Sequence, residues 1–136
     1  MNLQEMKAQL VRHEGLKLKV YRDSLGIPTI GVGRNLQDVG ISEDEAMVLL
    51  DNDLINVFED LDRALPWWRK MSTYRQMALA DMSFNMGIKR LLGFKKALAA
   101  MQEGRWEDAA REMLDSKWAT QVKGRANTLA EMMKEG

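Results

Sequence analysis

Three polar residues in the first thirty positions have types and spacing that suit cleavage of a glycosidic bond. Glu14 is followed after eight residues by Asp23, and after five more by Thr29. Glycoside hydrolysis needs an acid that protonates the leaving oxygen and a carboxylate that supports positive charge or activates water. Two carboxyl groups in unlike environments can supply both functions. The sequence therefore offers Glu14 as the acid, Asp23 as the carboxylate and Thr29 as a hydroxyl that holds a water near Asp23.

The environments of the two carboxyl groups follow from the elements predicted around them. Apolar residues recur at helical spacing over residues 2–13, and Gly15 can end this helix in a left-handed conformation. Glu14 is then expected at the helix end on the apolar side, where loss of hydration favours the protonated acid. Residues 17–21 alternate as in a strand and turn-forming residues follow. Asp23 is therefore predicted to lie in a turn, where water and backbone N–H groups keep it ionised.

A second, glycine-rich strand is predicted at residues 28–33. Gly31 and Gly33 are expected on one face of this strand, which leaves that face without side chains. Such a pair indicates either a bulge or tight bend, or the close approach of a ligand or another backbone. Glu14 and Asp23 are open to two interpretations as well, because a Glu after a helix and an Asp in a turn are common without any catalytic role.

The rest of the chain is predicted to be helical. The clearest helix covers residues 42–64, begins with a capping box of Ser42 and Glu45, and ends at Pro66. Because it is roughly 30 Å long at 1.5 Å per residue, we expect it to link two lobes. Further helices are predicted from Ser72 or Thr73 to about Met86, around Phe94–Met101, around Trp106–Met113 and around Leu129–Met133.

Composition and charge bound the functional classes. The chain has 136 residues and no cysteine, which excludes disulfides, thiolate metal ligands and a cysteine nucleophile. Its zero net charge is uneven: residues 1–40 carry six Lys/Arg and four Asp/Glu, residues 41–66 one and eight, residues 67–136 thirteen and eight. This pattern indicates either a solvated acidic helix or a basic surface for an anionic polymer. Nucleic acid is a poor candidate because the chain has no Lys/Arg run and its pI is about 6.6.

No set of residues suggests a metal ion or another cofactor. His13 is the only histidine, and a lone histidine is more often structural than a general base. The Gly31–Gly33 segment lacks the third glycine of a phosphate-binding loop. The charged N-terminal segment does not resemble a signal peptide, and no run of about 18 apolar residues predicts a membrane span. We therefore expect no cofactor, no metal and no stable membrane insertion.

The residues around Glu14 resemble the active-site region of phage-type lysozymes, the endolysins related to the lysozyme of T-even phages. The spacing of Glu14, Asp23 and Thr29 matches the family pattern, and further matching stretches follow in one order over nearly the whole chain. The stretches that carry the resemblance are His13–Asp23, Thr29–Gly33, Ile41–Ala46, Ser83–Gly87, Gly93–Phe94, Arg105–Ala110, Ser116–Trp118, Gln121 and Arg125–Ala126.

The resemblance implies a predominantly helical α+β fold with two lobes in a single lysozyme-like domain covering residues 1–136. A small antiparallel sheet lobe at about 14–45 faces a helical lobe, with the glycan in the cleft between them. The helical lobe covers about 65–136 and includes the N-terminal helix 1–13. The linking helix is the one predicted at about 42–64.

The resemblance also implies the reaction, which is hydrolysis of the β-1,4 bond between N-acetylmuramic acid and N-acetylglucosamine in peptidoglycan, with inversion. Glu14 is then the acid, and Asp23 with Thr29 positions or activates the water. Arg125 matches a family arginine that pairs with the catalytic Glu. Other matching positions line the family cleft: Tyr21, Gly33, Phe84, Asn85 and Gln121.

As an endolysin the protein is expected to be a monomer that binds glycan strands, accumulates in the host cytoplasm and reaches the wall with the help of a holin. Two alternatives stay open. A lytic transglycosylase also needs a catalytic Glu but can work without the Asp, and an inactive module would bind peptidoglycan without cleaving it. The presence of Glu14, Asp23 and Thr29 together disfavours both.

Two departures from the family pattern bear on the sheet lobe. Arg34 stands where many members have a histidine, so the histidine–carboxylate pair of those members cannot form here, although an arginine can still pair with an acid. Only seven residues separate Gly33 from Ile41, and the T-even enzyme has a longer segment there that includes a helix. We therefore expect a more open outer wall of the cleft.

Overall fold

The computed structural model describes all of residues 1–136 and consists mainly of helices, with one small antiparallel sheet. The helices are α1 (Leu3–Glu14), α2 (Glu43–Ala64), a 3-10 helix (Pro66–Lys70), α3 (Thr73–Met86), α4 (Ile88–Leu91), α5 (Lys95–Gln102), α6 (Trp106–Leu114), α7 (Lys117–Val122) and α8 (Gly124–Glu135). The strands are β1 (Lys17–Arg22), β2 (Pro28–Gly31) and β3 (Arg34–Asn35). The predicted α+β class with a predominance of helix is confirmed.

Contacts between residues divide the chain into two compact units, Met1–Val48 and Leu49–Gly136, so the boundary falls inside α2. The first unit contains α1, the sheet and the start of α2, and the second contains the remaining helices. The predicted lobe boundaries, and the packing of the N-terminal helix with the helical lobe, stay predictions. None of the helices combines the length and the apolar character that crossing a bilayer requires.

The sheet of the first unit has the strand order β1-β2-β3, and all neighbours are antiparallel. Thr29 occupies its centre, opposite Tyr21 on β1 and opposite Asn35 on β3. The pairing of β1 with β2 shifts its register between Lys17 and Tyr21. Because both sheet neighbours flank it, Thr29 is the one polar side chain of this unit that is buried, with 3% exposure.

The structure corrects the prediction for the glycine-rich strand. The predicted strand at residues 28–33 ends at Gly31, and Gly31-Val32-Gly33 form a turn into β3, a strand that the sequence did not predict. Gly31 has φ 71° and Gly33 has φ 67°, a left-handed conformation that only glycine adopts without strain. The tight bend, one of the two interpretations of this pair, is therefore present.

The start of α2 is stabilised as its sequence predicts. The Ser42 Oγ accepts a hydrogen bond of 3.1 Å from the Glu45 N–H, and the Glu45 Oε1 accepts one of 2.9 Å from the Ser42 N–H. This reciprocal arrangement is a capping box, which satisfies two backbone donors that a helix start leaves free. At its other end, α2 stops before Pro66, which opens the 3-10 helix that buries Trp68.

The hydrophobic core of the second unit is built from the inner faces of its helices. Methionine side chains supply much of it, which suits a core of irregular shape because the side chain is unbranched and flexible. The largest fully buried side chains are Leu61, Trp68, Leu79, Met82, Leu91, Met101, Met113 and Met133. The sequence did not predict α4 and α7, because four and six residues are too few to show a helical period.

Candidate active site

Glu14 is the last residue of α1, as predicted, and Gly15 ends the helix with φ 82°. The Gly15 N–H donates to the Val11 carbonyl at 2.8 Å, which closes the last helical turn. The expectation that Glu14 is desolvated on an apolar face is wrong, because its side chain is exposed and no residue of α1 is buried. The end of α1 therefore fixes the backbone of Glu14, while its side chain stays exposed.

The carboxylate of Glu14 lies against Gly33 in the turn between β2 and β3. A Cβ atom placed on Gly33 would be 2.9 Å from Glu14 Oε2 and 3.3 Å from its Cδ. A contact of 2.9 Å is shorter than Cβ atoms show, so a side chain at position 33 would make the flexible end of Glu14 move away from this place. A group does approach Gly33 closely, but it is the Glu14 side chain, and not the ligand or backbone that the sequence indicated; Gly31 has no such neighbour.

Asp23 lies in the turn after β1, and its side chain holds that turn together. Its Oδ1 accepts hydrogen bonds from the N–H groups of Leu25 at 2.8 Å and Ile27 at 2.9 Å. Its own N–H donates to the Ile27 carbonyl at 3.0 Å, and its carbonyl accepts from the Gly26 N–H at 2.9 Å. The predicted backbone donors are therefore present, and both bonds to the carboxylate go to one oxygen, which leaves Oδ2 without a protein partner.

Thr29 is joined to the Asp23 turn through a backbone carbonyl. Its Oγ1 donates to the Ile27 carbonyl at 2.8 Å, the same carbonyl that accepts from the Asp23 N–H. The hydroxyl proton is thus already used within the protein, while the oxygen keeps its capacity to accept a bond from water. Tyr21, which the family resemblance assigns to substrate binding, lies half-buried opposite Thr29 on β1.

Arg34 forms an ion pair although it stands at the position of the family histidine. Its Nη1 donates to Glu45 Oε1 at 2.8 Å and to the Gly40 carbonyl at 3.1 Å. The Arg34 hydrogen bond, followed by the backbone bond from Ser42, lowers the pKa of Glu45 to about 2. Glu45 also raises the pKa of Arg34, so both groups are charged at neutral pH. The sequence did not predict Glu45 as the partner, since it had assigned that residue only to the capping box.

The second unit contains the other residues that the resemblance assigns to the site. Arg125 donates through Nε and Nη2 to Asp81 Oδ1 at 2.8 and 2.6 Å, a partner that the sequence did not predict. Its pairing with Glu14 stays a prediction. Asn85 is exposed and accepts a bond of 2.8 Å from the Trp118 indole N–H through its Oδ1, and Gln121 is exposed on α7.

A cavity of about 420 Å³ in the second unit includes two of these residues, Phe84 and Arg125. Its walls come from α2, the 3-10 helix, α3 and α8 and are mainly apolar. The other lining residues are Leu50, Leu54, Phe58, Trp68, Arg69, Thr73, Gln76, Met77, Ala80 and Asp81. No group of three or more His, Cys, Asp or Glu side chains is arranged to hold a metal ion.

Comparison with known proteins identifies the family of this chain. The sequence model of the phage lysozyme family matches residues 11–133. The chain is 34% identical to the pre-baseplate central spike protein Gp5 of Enterobacteria phage T4 over 96% of its own length, which is 28% of that protein. It is 28% identical to the probable T4-type lysozyme 2 of Dictyostelium discoideum, covering 96% of this chain and 94% of that one.

A third relative is the SAR-endolysin of Escherichia phage Mu, which is 34% identical over 79% of this chain and 69% of its own. The chain belongs to the phage lysozyme family. The predicted resemblance to phage-type lysozymes, and with it the glycoside hydrolase class, is confirmed.

Proposed function

We propose that this protein is an endolysin that hydrolyses the β-1,4 bond between N-acetylmuramic acid and N-acetylglucosamine in peptidoglycan, which makes it a muramidase. The observation that carries the proposal is the position of the Glu14 carboxylate against Gly33, in the same unit as the Asp23 turn. This hydrolysis needs one carboxyl group that donates a proton and a second, ionised carboxylate that activates water. Glu14 and Asp23 are proposed for these two tasks. Membership of the phage lysozyme family supports the choice of substrate.

In the proposed reaction Glu14, in its protonated form, donates its proton to the glycosidic oxygen as the bond to the anomeric carbon breaks. A water molecule attacks that carbon from the opposite face, and its proton passes to Asp23. The two backbone bonds on Oδ1 fix the Asp23 carboxylate, so Oδ2 is the oxygen that receives the water. The Thr29 Oγ1 accepts a hydrogen bond from the other O–H of the same water. Attack from the opposite face inverts the configuration at the anomeric carbon.

Further residues are proposed to bind the glycan or to support the acid. Tyr21 and Gly33 of the first unit and Phe84, Asn85 and Gln121 of the second contact the sugar units. Arg125 is proposed as the support of the acid because it matches the family arginine that pairs with the catalytic Glu, although its guanidinium donates to Asp81 in the structure. No cofactor takes part in the reaction.

The biological setting is proposed from the family. The protein acts as a monomer on glycan strands of the cell wall, after accumulation in the host cytoplasm and release with the help of a holin. The likeness to a T4-type lysozyme and to a SAR-endolysin supports this choice of substrate class. Sedimentation of the purified protein tests the monomer, and co-expression with and without a holin tests the route to the wall.

The decisive experiment compares the protein with its Glu14→Gln variant on purified peptidoglycan. Glutamine keeps the shape of the side chain but cannot donate the proton, so the rate is expected to fall by about 10²–10⁴-fold. Circular dichroism serves as the control for folding. A Glu14→Gln variant with nearly full activity would remove Glu14 from the mechanism.

Analysis of the products separates hydrolysis from the two alternatives. Hydrolysis in water labelled with oxygen-18 places the label on the reducing muramic acid ends, and proton NMR of the first product shows the inverted anomer. Anhydro-muramic ends would identify a lytic transglycosylase instead. A module that only binds peptidoglycan would leave the turbidity of permeabilised Gram-negative cells unchanged.

A further inference from the structure

Arg34 directly follows the turn that contacts Glu14, and its side chain points to the start of α2. A single nitrogen, Nη1, donates both to the Gly40 carbonyl and to Glu45 Oε1. Glu45 Oε1 accepts at the same time from the Ser42 N–H. One carboxylate oxygen thus connects β3 to the capping box of α2.

The segment between Arg34 and α2 is closed by further hydrogen bonds. The Leu36 N–H donates to the Pro28 carbonyl at 2.9 Å, and the Gly40 N–H donates to the Asn35 carbonyl at 3.0 Å. The Asn35 Oδ1 accepts from the N–H groups of Gln37 and Asp38. Arg34 is therefore attached to a segment with its own internal order, which makes it a fixed point for the turn that precedes it.

On its other side the same turn meets the acid. The Glu14 carboxylate lies against Gly33. Lys17, which follows Glu14 by three residues, pairs with Gly31 at the start of the turn. Both glycines have left-handed φ values, and glycine restrains its own backbone less than any other residue. The conformation of this turn must therefore be restrained by groups outside it. Arg34 is the residue that follows the turn directly, and its side chain is hydrogen-bonded.

We propose that Arg34 is a positioning residue for the catalytic acid, because its bonds to Glu45 and Gly40 hold the Gly31–Gly33 turn against which the Glu14 carboxylate lies. The inference rests on the proposed function, in which Glu14 donates the proton. Arginine suits this task because its planar guanidinium holds two acceptors in a defined direction, whereas a lysine ammonium does so less strictly.

Magnitudes favour an effect on geometry over an effect on stability. The side chains of Arg34 and Glu45 are 38% and 44% exposed. Ion pairs with this exposure contribute little to the free energy of unfolding, because water and salt screen them. A displacement of about 1 Å at a reacting group can lower the rate by about a hundredfold. Loss of the pair should therefore act mainly on kcat.

The test measures kcat and KM on soluble, uncross-linked glycan strands for Arg34→Met, Arg34→Lys and Glu45→Gln. Arg34→Met keeps the aliphatic stem and removes both hydrogen bonds, so kcat should fall about tenfold while KM changes by less than about twofold. Arg34→Lys keeps the charge and should lie between Arg34→Met and the unchanged protein. Glu45→Gln keeps an acceptor for Arg34 and for Ser42, so it should lose less than Arg34→Met.

Arg63→Met is the matched control, because it removes an exposed ion pair with Asp60 that lies in the second unit. It should leave kcat unchanged. Circular dichroism and thermal unfolding establish the temperature range in which each variant is folded. All rates are then measured at one temperature within the range that the variants share. If Arg34→Met does not fold, the folded Arg34→Lys variant decides the test through its kcat.

Two results separate failure of this inference from failure of the proposed function. A folded Arg34→Met variant with a lower Tm but unchanged kcat would show that the pair is only structural, and would overturn the inference. Glu14→Gln is measured in the same assay. If Glu14→Gln is inactive and Arg34→Met is fully active, only the positioning role fails, and if Glu14→Gln is active, the proposed function fails.

Discussion

Gly33 is the residue that admits the Glu14 carboxylate, since a Cβ atom at position 33 would lie 2.9 Å from Glu14 Oε2. The two residues are 19 positions apart, and the local sequence around either of them does not predict the contact. It joins the end of α1 to the turn between β2 and β3.

Gly33→Ala should lower the activity by about tenfold or more, because its methyl group displaces the carboxylate of the acid from its place. Gly31→Ala is the matched control, since Gly31 has nearly the same φ but nothing within 4 Å of an added Cβ. Both variants should lose about 1–2 kcal/mol of stability from the left-handed conformation. Equal kcat values for the two variants would show that the contact with Glu14 has no influence on the rate.

Asp23→Asn should fold normally and lose most of its rate, by about a hundredfold or more. The asparagine Oδ1 can still accept the bonds from the Leu25 and Ile27 N–H groups, so the turn is kept while the negative charge is lost. Asp23→Ala, in contrast, should lose the turn and some stability as well. Thermal unfolding together with initial rates distinguishes the two. Wild-type activity in Asp23→Asn would contradict the role of the carboxylate.

Thr29→Val should cost less activity than Asp23→Asn, because the hydroxyl only helps to hold the water. The Ile27 carbonyl keeps its bond from the Asp23 N–H after the hydroxyl is removed, so the loss of stability should be about 1 kcal/mol. Thr29→Ser restores the hydroxyl and should recover most of the rate. Rates of the serine and valine variants that do not differ would argue against a role for the oxygen.

The Arg34–Glu45 pair should make only a small contribution to stability near neutral pH and should lose it in acid. The pKa of Glu45 is lowered from 4.5 to about 2, first by the Arg34 hydrogen bond and then by the Ser42 backbone bond. A carboxyl group with a lowered pKa stabilises the folded state above its unfolded pKa, and this is lost as the pH falls through its folded pKa. The difference in Tm between the protein and Glu45→Gln should therefore shrink between pH 4.5 and pH 2. A difference that stays constant over this range would mean that the charge of Glu45 is unimportant.

Leu61→Ala should destabilise the second unit by about 2–5 kcal/mol, because it removes fully buried methyl groups and leaves a cavity. Leu61 lies on α2 and has no exposed surface. Ile55→Ala on the same helix is the control, since Ile55 is 55% exposed and should cost far less. Urea unfolding of both variants gives the comparison. Similar losses would place Leu61 outside the core.

Elements whose signals lie within a few neighbouring residues were predictable from the sequence. The capping box of Ser42 and Glu45 spans three residues and opens α2 as expected, and Gly15 ends α1 after Glu14. The Asp23 turn also follows its own residue types. These features depend on hydrogen bonds between close neighbours along the chain, so the local sequence determines them.

The contacts that shape the candidate site depend on tertiary structure instead. The partner of Arg34 lies 11 positions away and that of Arg125 lies 44 positions away, and many acids along the chain could have met these arginines. The sequence also indicated a buried Glu14, and the structure shows it exposed. The apolar face of α1 carries no information about which residues lie beside it. By itself the sequence determined the longer helices, the strands β1 and β2, and the caps at Gly15 and Ser42, because these depend on neighbouring residues. Only the tertiary structure decided that Glu14 meets Gly33 and that Arg34 meets Glu45, because such contacts depend on the path of the whole chain between them.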